Sequence, residues 1–252
     1  MKYLQLLLFI IFTALLFSCN DSANKIEFDT KIVDSLIRNE KKYFEYSKYH
    51  FNFNDSAVYL NEHDSMIPVM TFFESIYIKS YFPIKAKKGN QFKLVKVSYW
   101  PNENIYAWVS GHGFWGVGRE RIKGKPLLVK PLADIYGNTI NSSMLKGKHT
   151  FVKFWFIKCV PCVAEMPDLN KIVEENKNRN DILFISFALD KKEELIKFLE
   201  KTSFKYRTLS AYKLPEIDSL KITTFPTHLY VKDNTIQKVI KEKEIREIIK
   251  KL

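Results

Sequence analysis

At 252 residues, 46% of them hydrophobic and 27% charged, the chain is long enough for one large domain or two modest ones with real cores, which excludes a disordered protein. Three cysteines are too few for a disulfide-stapled miniprotein. The formal net charge of +12 would suit anionic lipid or acidic partners, but the basic residues interleave with acids, as in Lys191-Lys192-Glu193-Glu194 and Lys241-Glu242-Lys243-Glu244. Such runs read as solvated helix faces; no nucleic-acid motif is present, and no nucleic-acid partner is expected.

Lys2 precedes an apolar stretch from Leu6 to Phe17 broken only by Thr13, too short to span a bilayer comfortably and suited to the core of an export signal. Leu16-Phe17-Ser18-Cys19 comes directly after it and resembles the bacterial lipobox. That resemblance implies that residues 1–18 are a lipoprotein signal peptide and that Cys19 is lipidated. Residues 19–25 would then be a polar tether, and the protein would be anchored to a bacterial membrane facing the periplasm or extracytoplasmic side. An ordinary signal peptide, or an uncleaved anchor with Cys19 buried, is the alternative.

Residues 26–123 read as a small α+β module of unassigned role. Ile32, Val33, Leu36 and Ile37, and then Phe72, Phe73, Ile76 and Tyr77, fall at helical spacing. Phe92 to Val97 and Ile105 to Val109, separated by Pro101-Asn102-Glu103-Asn104, predict two strands and a turn. Trp100, Trp108 and Trp115 are expected in the core. Five of the eight glycines lie from Gly111 to Gly124 and predict a flexible connector. Gly111-His112-Gly113-Phe114-Trp115-Gly116 matches a dinucleotide fingerprint only as a string, because the run from Arg119 to Pro126 cannot supply the long helix such a site requires.

Residues 125–252 alternate strands and helices. Strands are predicted at 150–156, 182–188, 227–232 and 236–240, and helices at 160–176, 192–201 and around Ile245, Ile248 and Ile249, giving a mixed sheet with helices on both faces.

Cys159-Val160-Pro161-Cys162 falls where a strand ends and a helix begins. Residues i and i+3 of a first helical turn share a face, about 5–6 Å apart at Cβ, so slight tightening brings two sulfurs to bonding distance. Cys159 is expected to be exposed at the helix start, where unpaired N–H groups favour a thiolate; Cys162, one turn in, would be the resolving thiol. Pro161 suits a first turn because its missing N–H has no partner to lose. A structural zinc would need four ligands, and with Cys19 assigned to lipid no second cysteine pair exists. The pair itself is expected to be the redox centre, with no added cofactor and no metal; an inert cysteine pair is the alternative.

The run from Phe154 to Leu169, FWFIKCVPCVAEMPDL, resembles thioredoxin-like proteins of the TlpA/ResA type, exported and membrane-tethered thiol-disulfide oxidoreductases. Trp155 matches the family's core tryptophan and is placed with the substrate-binding group. Pro167 matches its helix-kinking proline, and residues 134–148 match its opening hairpin. Thr224-Phe225-Pro226-Thr227 resembles the cis-proline loop, which implies that Phe225, Pro226 and Thr227 join Pro161 in binding the substrate chain. Leu214 to Ile222 resembles the preceding helix. The implied fold class is α/β: a thioredoxin-like domain with a mixed central sheet flanked by helices, preceded by the α+β module.

Two departures stand out. Lys158 replaces the tryptophan the family usually has beside its nucleophile. Lys153 falls where thioredoxin has a buried acid; it would either place an ammonium under the site or snorkel to solvent. Glu165 and Lys153 are candidates for a proton relay, with a surface carboxylate as the alternative for Glu165. The implied partners are protein thiol/disulfide clients, apocytochrome or copper-site cysteines among them, and a membrane electron donor. Two rivals are a Cu(I)-binding protein using Cys159, Cys162 and His228, and a thiol peroxidase, which wants Thr or Ser where Phe156 stands.

Overall fold

The computed structural model describes residues 26–78 and 80–252. The expected signal peptide, the lipidated Cys19 and the tether at 19–25 lie outside the described residues. The chain divides into two compact units, ending and beginning at Gly111 and His112. The division falls inside a helix, ahead of the boundary near 123–125 expected from the sequence.

The first unit opens with two helices, α1 (Ile32–Arg38) and α2 (Glu40–His50), separated at Asn39, whose side chain accepts from the Lys42 N–H at 3.0 Å and caps the second. Strand β1 (Val58–Leu60), helix α3 (Val69–Ile78) and strands β2 (Tyr81–Lys85) and β3 (Gln91–Lys96) come next. β3 is the central strand, parallel to β1 and antiparallel to β2. Phe72, Phe73 and Ile76 of α3 are buried as their spacing predicts, whereas Tyr77 is exposed. They pack with Tyr59, Phe82 and Phe92 in an aromatic core, Tyr59 and Phe72 meeting at 4.7 Å between centroids.

The strand expected at Ile105–Val109 and the glycine-rich connector are both overturned: one helix, α4 (Glu103–Ile122), runs through them. Asn102 starts it by accepting from the Ile105 N–H at 3.1 Å. Its buried positions Ile105, Val109, Gly113, Gly116 and Val117 recur at helical spacing, so burial of one stripe outweighs the β-branched and glycine propensities. Trp115 lies off this stripe and is 60% exposed, against the expectation of a core residue; Trp100 and Trp108 are half-buried. The fingerprint-like string is therefore helix interior and offers no phosphate loop.

The second unit carries a short hairpin, β4 (Leu132–Ala133) with β5 (Thr139–Ile140), and a helical turn α5 (Ser142–Leu145). Its main body is β6 (His149–Trp155), α6 (Val160–Ala164), α7 (Met166–Glu175), β7 (Ile182–Ala188), α8 (Lys192–Leu199), β8 (Arg207–Ser210), α9 (Pro215–Asp218), β9 (Thr227–Lys232), β10 (Thr235–Ile240) and α10 (Glu242–Ile249). The sheet order is β10-β9-β6-β7-β8, with β6, β7 and β8 parallel and β9 and β10 antiparallel additions. β6 is central and covered on both faces, which is why it reads as a nearly continuous apolar run. Val152 and Phe154 face one core with Ile185, Phe187 and Leu229. The opposite face carries Phe151, packed with Leu169, Ile172 and Ile245, and Trp155, packed with Met166 and Leu195. Lys153 lies between Phe151 and Trp155 on this second face by strand alternation.

Candidate active site

β6 ends at Trp155, and four residues later Cys159 caps α6, its Sγ accepting from the Cys162 N–H at 3.3 Å. The two sulfurs are bonded, with Cα atoms 5.2 Å apart. Pro161 lies in the first turn of α6, as its chemistry allows. Pro167 cannot donate to the Val163 carbonyl, and the helix stops at Ala164 and restarts at Met166, with Glu165 as the single residue between.

Cys159 is 5% exposed, not open to solvent as expected. It sits in the cluster of Ile135, Trp155, Met166, Ala188 and Leu195, and Phe225 packs against the same cluster. Exposed Lys158, Val160 and Pro161 flank it on the surface. Cys162 is fully buried. Trp155 is also fully buried, in ring contact with Phe198 and Phe204, so its assignment to substrate binding is corrected: it is a core residue of the cluster that holds the pair.

The Phe225–Pro226 peptide is cis. The Phe225 ring meets Phe156 edge-on at 5.5 Å, and the Thr227 hydroxyl donates to the Thr224 carbonyl at 2.6 Å, closing the loop that feeds β9.

Lys153 does not snorkel. It is completely buried, and its Nζ donates to the Cys162 carbonyl at 2.9 Å and to Glu165 Oε2 at 2.7 Å. The same carboxylate oxygen lies 2.9 Å from His228 Nε2. Burial raises the Glu165 pKa, but the hydrogen bonds from His228 and Lys153 and their charges outweigh it and hold the carboxyl below its ordinary value. Burial lowers Lys153 from its ordinary value, opposed by the bond and charge of Glu165. Glu165 is thus no free surface carboxylate.

Sequence reasoning weighed His228 only as a metal ligand. Its place two residues after Pro226 was visible, but its register opposite Lys153 was not. Among the described residues no three His, Cys, Asp or Glu side chains gather as metal ligands.

A buried disulfide capping a helix at the end of a central parallel strand, facing a cis-proline loop that opens an antiparallel strand, defines a thioredoxin-like dithiol–disulfide domain. The chain matches the Redoxin family over residues 123–249, half its length, and belongs to that family. Similar curated proteins are named thiol-disulfide oxidoreductase ResA. That of Halalkalibacterium halodurans is 26% identical over 103 residues, covering 41% of this chain and 58% of the relative. That of Bacillus cereus is 28% identical over 114 residues, covering 44% and 65%. The chain therefore spans less than two thirds of the length of either relative, and the TlpA/ResA resemblance rests on this half of the chain. Among solved structures, a thiol:disulfide interchange protein of the thioredoxin family from Chlorobium tepidum is similar at 21% identity and a TM-score of 0.45, over 51% of this chain and 96% of that one.

Proposed function

We propose that this protein is a thiol-disulfide oxidoreductase that reduces disulfides of protein clients, tethered by lipid on Cys19 to the extracytoplasmic side of a bacterial membrane. The observation that carries the reading is the Cys159–Cys162 bond across the first turn of α6, with the less buried sulfur at the cap. In the reduced protein the Cys159 thiolate attacks a client disulfide, forming one S–S bond and releasing the other client sulfur as a thiolate, which takes a proton from water. The Cys162 thiolate then attacks Cys159, releasing the second client sulfur and leaving the enzyme disulfide. Phe225, Pro226, Thr227 and Pro161 supply the docking surface, and a membrane electron donor restores the dithiol. The clients implied by the resemblance are proteins with cysteine pairs awaiting haem or copper.

Trapping tests this. Cys162→Ala should accumulate mixed disulfides through Cys159, and Cys159→Ala should accumulate none. Capture by Cys159→Ala alone would reverse the two roles, and no capture by either would refute the reading.

A further inference from the structure

Glu165 lies three residues after Cys162, and one oxygen of its carboxylate, Oε2, receives both of its donors. These donors come from neighbouring strands. Lys153 of β6 and His228 of β9 are direct register partners, so their side chains leave the sheet on the same face. His228 is 3% exposed, and its Nδ1 is buried with no hydrogen-bond partner among the described residues. Donating to an ionised carboxylate requires a proton on Nε2. The imidazole is therefore oriented by one hydrogen bond, to Glu165. Among the described residues no hydrogen bond engages Oε1 of Glu165.

We propose that His228 is a positioning residue for the exchange at Cys159 and Cys162: with Lys153 it pins Oε2 of Glu165 and so presents Oε1 to the Cys162 thiol. The proposal rests on the oxidoreductase reading above. In the resolving step the Cys162 S–H proton passes to Oε1, and the sulfur's electron pair forms the bond to Cys159 Sγ. The bond from Cys159 to the client breaks, and the client leaves as a thiolate that is protonated by water. Glu165 returns its proton to solvent, which it reaches because its side chain is 27% exposed. The client sulfur is reduced and the enzyme dithiol is oxidised, so electrons and protons balance. With one donor removed, the carboxylate is free to swing toward water, and part of the general-base contribution, about 10²–10⁴-fold in all, is lost.

The titratable and charged groups around this carboxylate are Lys153 on β6, His228 on β9, Cys162 on α6, Tyr206 beside β8 and Glu242 at the start of α10. Burial pushes Tyr206 upward, so it stays neutral across the range assayed.

The test is a single turnover of the reduced protein with dithiobis(nitrobenzoate), each step releasing one coloured thiolate. The first release reports capture by Cys159 and the second reports resolution by Cys162. His228→Leu should slow resolution about tenfold and move its acid limb to higher pH, because the carboxylate loses a donor that favours its ionised form. Capture should be unchanged. His228→Gln, whose amide nitrogen reaches the place of Nε2, should restore both the rate and the pH profile. His228→Asn, too short to reach Glu165, should behave like His228→Leu and guards against a packing defect of the apolar variant. Resolution with an unshifted acid limb in the Leu and Asn variants, or capture and resolution falling together, would overturn the assignment. A wild-type protein that captures but never resolves, or reduces no disulfide, would refute the oxidoreductase reading itself.

Discussion

Lys153→Met removes an ammonium that is fully buried yet keeps a side chain of similar length in its place. The lysine makes two charge-assisted hydrogen bonds, to Glu165 and to the Cys162 carbonyl. Such bonds contribute about 1.5–3 kcal/mol each. Against them stands the desolvation of the ammonium, which methionine avoids and which amounts to several kcal/mol before relaxation. Glu165 keeps His228 and some water, because 27% of its side chain is exposed. The net expectation is a loss of about 1–2 kcal/mol for the single variant and a coupling of about 1–3 kcal/mol in a cycle with Glu165→Gln. The pH dependence fixes the sign. The Glu165 carboxyl is held below its reference value of 4.5 in the folded protein, so the pair's contribution is complete above that value and is lost as pH falls through the lower folded one. The stability curves of wild type and Lys153→Met should therefore converge in acid. Native-state hydrogen exchange of β6 amides in the oxidised protein, read near neutrality and at two acid pH values, measures this locally. Zero coupling at neutral pH, or curves that stay parallel into acid, would refute the reasoning.

Two further predictions concern positions the active site does not use. Gly118→Ala should stabilise the protein by about 0.5–1 kcal/mol, because the glycine lies inside α4 with open space where a Cβ would project; urea denaturation checks it, and destabilisation would count against a helix there. Tyr43 is 1% exposed and its hydroxyl has no hydrogen-bond partner among the described residues; burial pushes its pKa upward. Tyr43→Phe should be neutral or stabilising by about 1–2 kcal/mol in the same assay, and a clear loss would reveal a partner for that hydroxyl.

The sequence was most legible where local pattern and burial agree. β7 and β9 coincide with their predicted spans, β7 because a strand covered on both faces is apolar along nearly its whole length. β8 was not marked by the sequence: four residues, Arg-Thr-Leu-Ser, at the edge of the sheet carry too little periodicity to be told from a loop. The helix over Ile105–Val109 was misread because its β-branched residues favour a strand locally, and only burial of a helical stripe reverses that preference.

The cysteine pair was legible in its spacing along the chain, since a helical turn alone brings Cys159 to Cys162, whereas the proline loop was legible only through the family resemblance. The charge network beneath them was decided by tertiary structure. His228 and Glu165 are 63 residues apart, and they meet only because β9 inserts antiparallel beside β6 and aligns His228 with Lys153. A single-residue slip in that pairing would turn His228 to the opposite face of the sheet, and no local pattern in the sequence encodes the register.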